Sequence, residues 1–453
     1  MSGGEPYLPA IRFVGQIRKD DHVIDVAFDA EVDHSGVLAL RFDTLPVSKE
    51  TFYLGGSGSD GTVEWAVLEA AAATGETIRS ASFFVTKQQR KTSDTEATVT
   101  FEGACSEAVI ARPLEAPVTF SQLHFQFPRF RSFSWLHCDT DLGVARMGGS
   151  EADPARPQYL CGLLAMQCQG VASDTWFGEA HDRLTHILRV MSFASGVYLR
   201  PVVERRVVAD QDQFTIIRRT SASEPFYAPF VFLNLEPIFE HACNGDADAR
   251  VKFATTDPAV RWLLAPGYYD EMRLMAAMTA LEHLVEEAFP AAESLFLKPK
   301  AFKKVASAVR ELLRDLKAPE GMLAKAPELN RQSFADKLQR YFDARGVTLG
   351  DLDAEGIKAL INARNHVVHR GVYYDPTQAQ QARLWDHLLL AREMVTRALL
   401  GELGFVGNYF SPLYGSNQQL RFPSCRRLTD DQHREIVEDD SGPAPADQSS
   451  SSV

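Results

Sequence analysis

The sequence predicts an α+β protein in which a β-rich, sandwich-like N-terminal region precedes an all-α helical bundle. Apolar and polar residues alternate through residues 10–130, the period of half-buried strands. From about Tyr268 the apolar spacing changes to three and four, the period of helices with one buried face. The chain has 453 residues, more than one hydrophobic core supports, so several domains are expected.

The segments IRFVGQIRKDDHVIDVAFDAEV, GVLALRFD, TEATVTFEG and APVTFSQLHFQF, separated by Gly, Pro and Asp, define a β-rich domain over residues 1–150. The run Gly55, Gly56, Ser57, Gly58, Ser59, Asp60, Gly61 lacks the Lys and Ser/Thr that close a phosphate-binding loop, so it reads as a hairpin or surface loop. MGGSEADPARPQ, residues 147–158, has the composition of a linker or long loop. Residues 151–264 read as a mixed α/β continuation, with a helix around FGEAHDRLTHILRVMSFASG and strands VYLRPVVERRVV and QFTIIRRT. His181 and His186 are five apart, about 140° around a helix, which makes them poor metal partners and better solvated or capping residues. Arg200, Arg205, Arg206, Arg218 and Arg219 read as exposed strand charges. Trp65, Trp135 and Trp176 read as core residues, with a ligand-binding or carbohydrate-binding platform as the rival.

Residues 265–404 contain five amphipathic segments with short connections: YYDEMRLMAAMTALEHLVEEAF, AFKKVASAVRELLRDLK, RQSFADKLQRYFDARG, AEGIKALINARNHVVHRG and QQARLWDHLLLAREMVTRALLGELG. Residues 405–453 form a C-terminal extension whose acidic, then Pro/Ser-rich end after Arg427 is expected to be disordered.

Lys and Arg number 47 against 60 Asp and Glu, a net charge of −13, which excludes a uniformly basic surface that coats nucleic acid. No apolar run of bilayer length and no signal-peptide start is present, so a cytoplasmic protein without a membrane partner is expected. Six scattered cysteines without a CxxC pair read as reduced thiols. No metal or other cofactor is indicated.

The fourth segment concentrates the chemistry. Asp353 suits its N-cap, Glu355 its first turn and Gly371 its C′ position, giving a helix from about Ala354 to Arg370. Ile357, Leu360, Ile361 and Val368 form an apolar stripe with Arg364 in its middle, while Asn362, Asn365 and His369 form a polar stripe with His366 at its edge. An unpaired buried guanidinium is costly, and Glu282 is the expected partner of Arg364. On spacing alone, a structural ion pair and an ordinary helix-end histidine are the leading readings of Arg364 and His369. His366 and His369 lack a further ligand at matching spacing, so metal binding is not expected.

The string RNHVVHRG resembles the signature of the HEPN superfamily, an Arg with a polar neighbour followed by a His, late in a helical bundle. Arg364, Asn365 and His369 fill its positions, and the order of a β-rich half before the bundle is similar to ApeA-like proteins. The resemblance covers about residues 265–404 and implies a metal-independent endoribonuclease, homodimeric through the bundle, in anti-phage or abortive-infection defence. It implies catalytic roles for Arg364, Asn365 and His369, with Glu282 and His366 supporting, and RNA, tRNA among the candidates, as substrate. The N-terminal region would sense a phage-derived or nucleic-acid trigger.

The residue types suit that chemistry. Attack of an RNA 2′-OH on its phosphate needs proton transfer near neutral pH, which histidine supplies, and cationic donors to phosphate oxygens, which arginine supplies. Arg364 and His369 lie about 140° apart on one helix, so convergence on one phosphate favours two copies around a two-fold axis. Between Lys298 and Arg345 twelve basic residues face six acidic ones, a net +6, and Lys303, Lys304, Arg310 and Arg314 would guide RNA, with Tyr373 or Tyr374 stacking on a base. Ordinary solvated lysines and aromatic packing at a helix end are the competing readings. The alternative function is a non-catalytic dimerisation or RNA-binding module joined to a ligand-binding β-rich domain.

Overall fold

A computed structural model describes residues 7–48, 65–92, 96–149, 160–218, 228–230, 234–289, 293–349, 352, 354–373, 380–414 and 418–427. The glycine run at 55–61, most of the 147–158 segment, Arg219, Asp353, Tyr374 and the acidic tail lie outside these residues. The fold is α+β, with a large antiparallel sheet in the N-terminal part and helices in the C-terminal part. Two compact units divide the chain, Met1–Arg250 and Val251–Val453.

In the first unit the strands are β1 (Leu8–Lys19), β2 (His22–Val32), β3 (Leu38–Phe42), β4 (Leu45–Pro46), β5 (Ala66–Ala71), β6 (Thr77–Thr92), β7 (Ala97–Cys105), β8 (Glu107–Pro113), β9 (Phe120–Pro128), β10 (Leu136–Thr140), β11 (Gly143–Gly149), β12 (Leu160–Gln169), β13 (Val203–Val208) and β14 (Gln211–Ile217). The expected sandwich is replaced by a closed ring. β6 pairs with β5 and, from Phe83 onward with a register shift between Val85 and Lys87, with β7, so that β1, β2, β3, β7, β6 and β5 return to β1. Closure removes exposed strand edges from these six strands. Phe13, Phe28, Phe42 and Phe83 fill the ring with centroids 4.8–5.6 Å apart along the series. A Cβ on Gly103 would sit 2.3 Å from the Phe83 ring, so only glycine admits this packing.

The first residues of β6 also pair with β8, and the sheet continues through β14, β13, β9, β12, β11 and β10. Strands from both sides of residue 150 therefore share one sheet, and the contact boundary falls after Arg250 instead of at 150 or 264. Met147–Gly149, read as the start of a linker, ends β11. Helix α1 (Asp174–Ser195) packs on β9 and β12; the Ser173 side chain accepts from the Trp176 N–H at its start, and Gly196 at φ 69° ends it.

Several polar assignments change. His186 is buried, not solvated, and desolvation reinforced by Arg250, Arg189 and Arg183 lowers its pKa to about 3. Arg205 is not a free surface charge: with Arg112 it clamps the buried Asp212, at 2.6 Å and 2.7 Å, and both guanidinia lie over the Phe214 ring. Arg206 bonds Asp174 at 2.5 Å and covers the Phe177 ring. Trp65 and Trp135 are half exposed instead of buried in a core; Trp65 meets Phe84 edge-on, and Trp135 packs over Gly148. Trp176 donates its indole N–H to the Leu142 carbonyl at 2.9 Å.

Helices α2 (Glu236–Asn244) and α3 (Ala247–Ala254) precede the second unit's α4 (Asp257–Leu263), α5 (Asp270–Ala288), α6 (Pro299–Asp315), α7 (Glu320–Lys325), a 3₁₀ turn (Ala326–Asn330), α8 (Phe334–Ala344), α9 (Ala354–Arg370) and α10 (Gln380–Leu403). The five expected helices are α5, α6, α8, α9 and α10; α4 and α7 are too short to show a clear period. A capping box of Ser333 and Asp336 starts α8. Gly407–Phe410, Gln419–Phe422 and Arg426–Arg427 form strands β15, β16 and β17 of a small antiparallel sheet where the sequence suggested an extension.

Ala391–Leu400 of α10 are all buried, and α10 packs against α5 and α9. Its Glu393 and Arg397 form a fully buried pair at 2.7 Å. Arg397 also donates to the Thr348 carbonyl at 3.0 Å, and Glu393 accepts from Tyr409 at 2.6 Å and Ser411 at 2.5 Å. Burial beside Glu393 raises the Tyr409 pKa well above its ordinary value.

Replacing Arg397 by Leu leaves Glu393 charged and buried, so we expect a loss of about 3–5 kcal/mol in urea unfolding, and a change below about 1 kcal/mol would show the carboxylate to be solvated. The buried His186 has its pKa lowered on folding, so its contribution is complete above about pH 6.5 and is lost as pH falls from there towards 3. Unfolding of the His186→Gln protein should accordingly depend less steeply on pH between 6.5 and 4 than that of the wild type; equal slopes would contradict the assignment.

Candidate active site

Helix α9 begins with Glu355 in its first turn, favourable at the positive end of the helix dipole, and carries His369 and Arg370 in its last. Gly371 ends it at φ 75°, its N–H bonded to the Val367 carbonyl at 2.8 Å. The buried face is Leu360, Ala363 and Val367, packed on α5 and α10. It is rotated from the stripe expected around Ile357, Leu360, Ile361 and Val368, and Val368 is 47% exposed. The small Ala363 lets the helix approach its neighbours, while rotation carries Arg364 to the margin of the packed face, where its side chain is 28% exposed. A guanidinium in the centre of the face would be desolvated at high cost.

The expected partner is in place. Arg364 Nη2 lies 2.8 Å from Glu282 Oε1 and 3.1 Å from Oε2, and Arg364 Nη1 donates to Asn365 Oδ1 at 3.2 Å. Arg364 Nε is buried without a hydrogen-bond partner. Glu282 is on α5, its carboxylate 32% exposed, beside a buried face of Ala277, Leu281, Leu284 and Val285. Asn365 is half-buried, and His366 and His369 are exposed. Among the described residues neither histidine has a hydrogen bond or ion pair, so both rings are open to an incoming group. No three His, Cys, Asp or Glu side chains converge as a metal site among the described residues.

The proposed RNA-guiding cations are on another element. Lys303, Lys304 and Arg314 are exposed on α6, and Arg310 reaches the Leu323 carbonyl at 3.5 Å. α6 packs mainly on α7 and the 3₁₀ turn, whereas α9 packs on α5 and α10, so helix contacts do not bring these cations to Arg364. Tyr373 is 7% exposed, its ring edge-on to His387 at 5.8 Å and its hydroxyl 3.4 Å from His387 Nε2. That burial corrects the expectation of a base-stacking ring, because packing at the helix end occupies its face.

A concave site away from α9 escaped the sequence reading. A cleft of about 260 Å³ between α1 and strands β9, β13 and β14 is lined by Asp174, His181, Glu204, Arg206, Gln213 and Thr215 among others. His181 Nε2 lies 3.6 Å from the Glu204 carboxylate, whose proximity raises the histidine pKa. Its signal was present only as polar residues alternating on two strands, which also describes any solvated face. The chain matches no protein-family model, no curated protein and no solved structure.

A pair this exposed is worth little to folding, so Glu282→Gln should cost less than about 1 kcal/mol by chemical denaturation. A larger loss would make the pair a structural tie.

Proposed function

We propose that the chain is a metal-independent endoribonuclease of the HEPN type, acting as an anti-phage or abortive-infection effector in the cytoplasm, with the N-terminal unit as sensor or regulator. The observation that carries this reading is the arrangement on α9: Arg364 oriented by Glu282 and Asn365 yet partly open, followed five residues later by an exposed, uncommitted His369.

The chemistry follows from these groups. Arginine has five N–H donors, and the bonds to Glu282 and Asn365 leave donors for phosphate oxygens. Glu282 fixes the guanidinium plane, so less conformational entropy is lost when phosphate binds. Histidine near neutral pH accepts the 2′-OH proton or donates one to the leaving 5′-oxygen, each role contributing about 10²–10⁴-fold. Arg364 and His369 diverge by about 140° around α9, so the site is completed by a second copy. Asn365 positions Arg364, and His366, exposed one turn before His369, supports the same face. The products are a 2′,3′-cyclic phosphate and a 5′-OH.

The rival is a non-catalytic dimerisation or RNA-binding module with a ligand-binding β-rich unit. It draws on the ion pair, which satisfies Arg364 without substrate, and on the exposed Trp65 and Trp135. Incubation with bulk tRNA separates the two. Wild-type protein should generate cyclic-phosphate ends in the presence of EDTA, and His369→Ala or Arg364→Ala should retain fold and oligomeric state while losing at least about 100-fold in cleavage rate. Undiminished cleavage by either variant would sink the catalytic assignment, and binding without cleavage would favour the module.

A further inference from the structure

The cleft beside α1 holds more polar side chains than its own packing uses. α1 packs on β9 and β12, which leaves β13 and β14 to form the floor beside it. Glu204 stands opposite Thr215, and Arg206 opposite Gln213, in cross-strand pairs on one face. Along β13 the carboxylate and the guanidinium are two residues apart, a spacing of about 7 Å. The wall is Asp174, Phe177, Gly178 and His181, at i, i+3, i+4 and i+7 on one side of α1.

Each charged group of the floor is held on one side only. Glu204 faces His181 Nε2 at 3.6 Å, and that ring stands edge-on to Phe125 at 5.4 Å. Arg206 lays its guanidinium on the Phe177 ring and bonds Asp174 through Nη2. The Asp174 side chain is 90% exposed, and an ion pair this solvated is weak. The other N–H groups of Arg206, the Gln213 amide and the Thr215 hydroxyl have no partner among the described residues. Glycine inside a helix weakens it relative to alanine, yet a Cβ on Gly178 would meet nothing within 4 Å. Packing does not call for glycine there; its effect is open space in the cleft wall.

These groups select a ligand. Asp174 and Glu204 balance Arg206 and His181, so the cleft has no excess of positive charge to hold a phosphate. Phe125 and Phe177 are buried, so neither offers an open face to a base or a sugar ring. At about 260 Å³ the cleft is smaller than the roughly 300–1,000 Å³ of sites for drug-sized ligands. What fits is a small molecule with a cationic donor at one end and an anionic acceptor at the other.

We infer that the cleft binds a free α-amino acid with an uncharged side chain. Its carboxylate accepts from the open N–H groups of Arg206 and from the Gln213 amide, its ammonium donates to Glu204 and the Thr215 hydroxyl, and its side chain takes the space beside Gly178. His181 positions Glu204 from the helix side. Opposite charges on one strand face fix the ligand's direction, since the reversed molecule would set like charges together. The inference does not rest on the ribonuclease reading: a protein that binds an amino acid and cuts no RNA overturns only that reading, and one that cuts RNA and binds no amino acid overturns only this one.

Isothermal titration calorimetry of the full chain with the uncharged standard L-amino acids, one at a time and without RNA, tests it. At least one should bind, and its decarboxylated amine and its deaminated acid should each bind at least about 10-fold more weakly, because each lacks one charged contact. Gly178→Leu should abolish binding with an unchanged circular-dichroism spectrum, since the added side chain enters open space. Glu204→Gln, which adds no bulk, should weaken the amino acid by at least about 10-fold and its deaminated acid far less. No binding by any of these amino acids, an amine or acid that binds as tightly as its parent, Gly178→Leu or Glu204→Gln protein with wild-type affinity, or a response to glucose, uridine or inorganic phosphate alone would overturn the assignment.

Discussion

The second unit depends on a buried ion pair. Glu393 and Arg397 are one helical turn apart on α10, both without solvent exposure, and between them they bind Tyr409, Ser411 and the Thr348 carbonyl. Two charges removed from water at this depth are tolerated only when their remaining hydrogen-bonding capacity is met. The partners therefore have little freedom: the segment before α9 and the strand after α10 must both come to the same place. α10 in turn supplies the surface on which α5 and α9 pack, and those two helices carry Glu282 and Arg364. The geometry of the candidate site is thus set by interactions a helix away from it.

The two arginine–glutamate pairs illustrate how environment separates structure from function. At Arg397 both partners are inaccessible, and neither can engage a substrate without unfolding the unit. At Arg364 both are about one-third exposed, the guanidinium keeps unused donors, and two uncommitted histidines sit nearby on the same helix. The first unit repeats the structural case in a sheet, where Arg112 and Arg205, on the two strands that flank β14, neutralise its buried Asp212. Burial and spare donors, more than residue type, single out Arg364.

The net charge of −13 and the basic window from Lys298 to Arg345 now have distinct physical places. Parts of the window are spent internally: Lys337 holds Glu286 at 2.6 Å, Arg345 pairs with the buried Glu402, and Arg340 covers Phe289 and bonds Gln332. The cations left open are chiefly those of α6, on the face opposite its uncovered apolar stripe. One helix therefore offers two chemically different surfaces, a cationic one and an aliphatic one.

The sequence by itself determined the α+β class, the five long helices, the turn chemistry of Gly371 and the pairing of Arg364 with Glu282, because period, capping and charge pairing act over a few residues or between two strongly patterned faces. It also placed Arg364, Asn365 and His369 on one helix, where spacing alone sets their angles. Closure of β1, β2, β3, β7, β6 and β5 into a ring was decided only by tertiary structure, since strand partners tens of residues apart leave no local trace. The same holds for the rotation of α9 that exposes Val368, the burial of Tyr373 and His186, and the surface position of Trp65 and Trp135. Each of these turns on which neighbour covers a face, and coverage belongs to the packed chain and to no single segment of it.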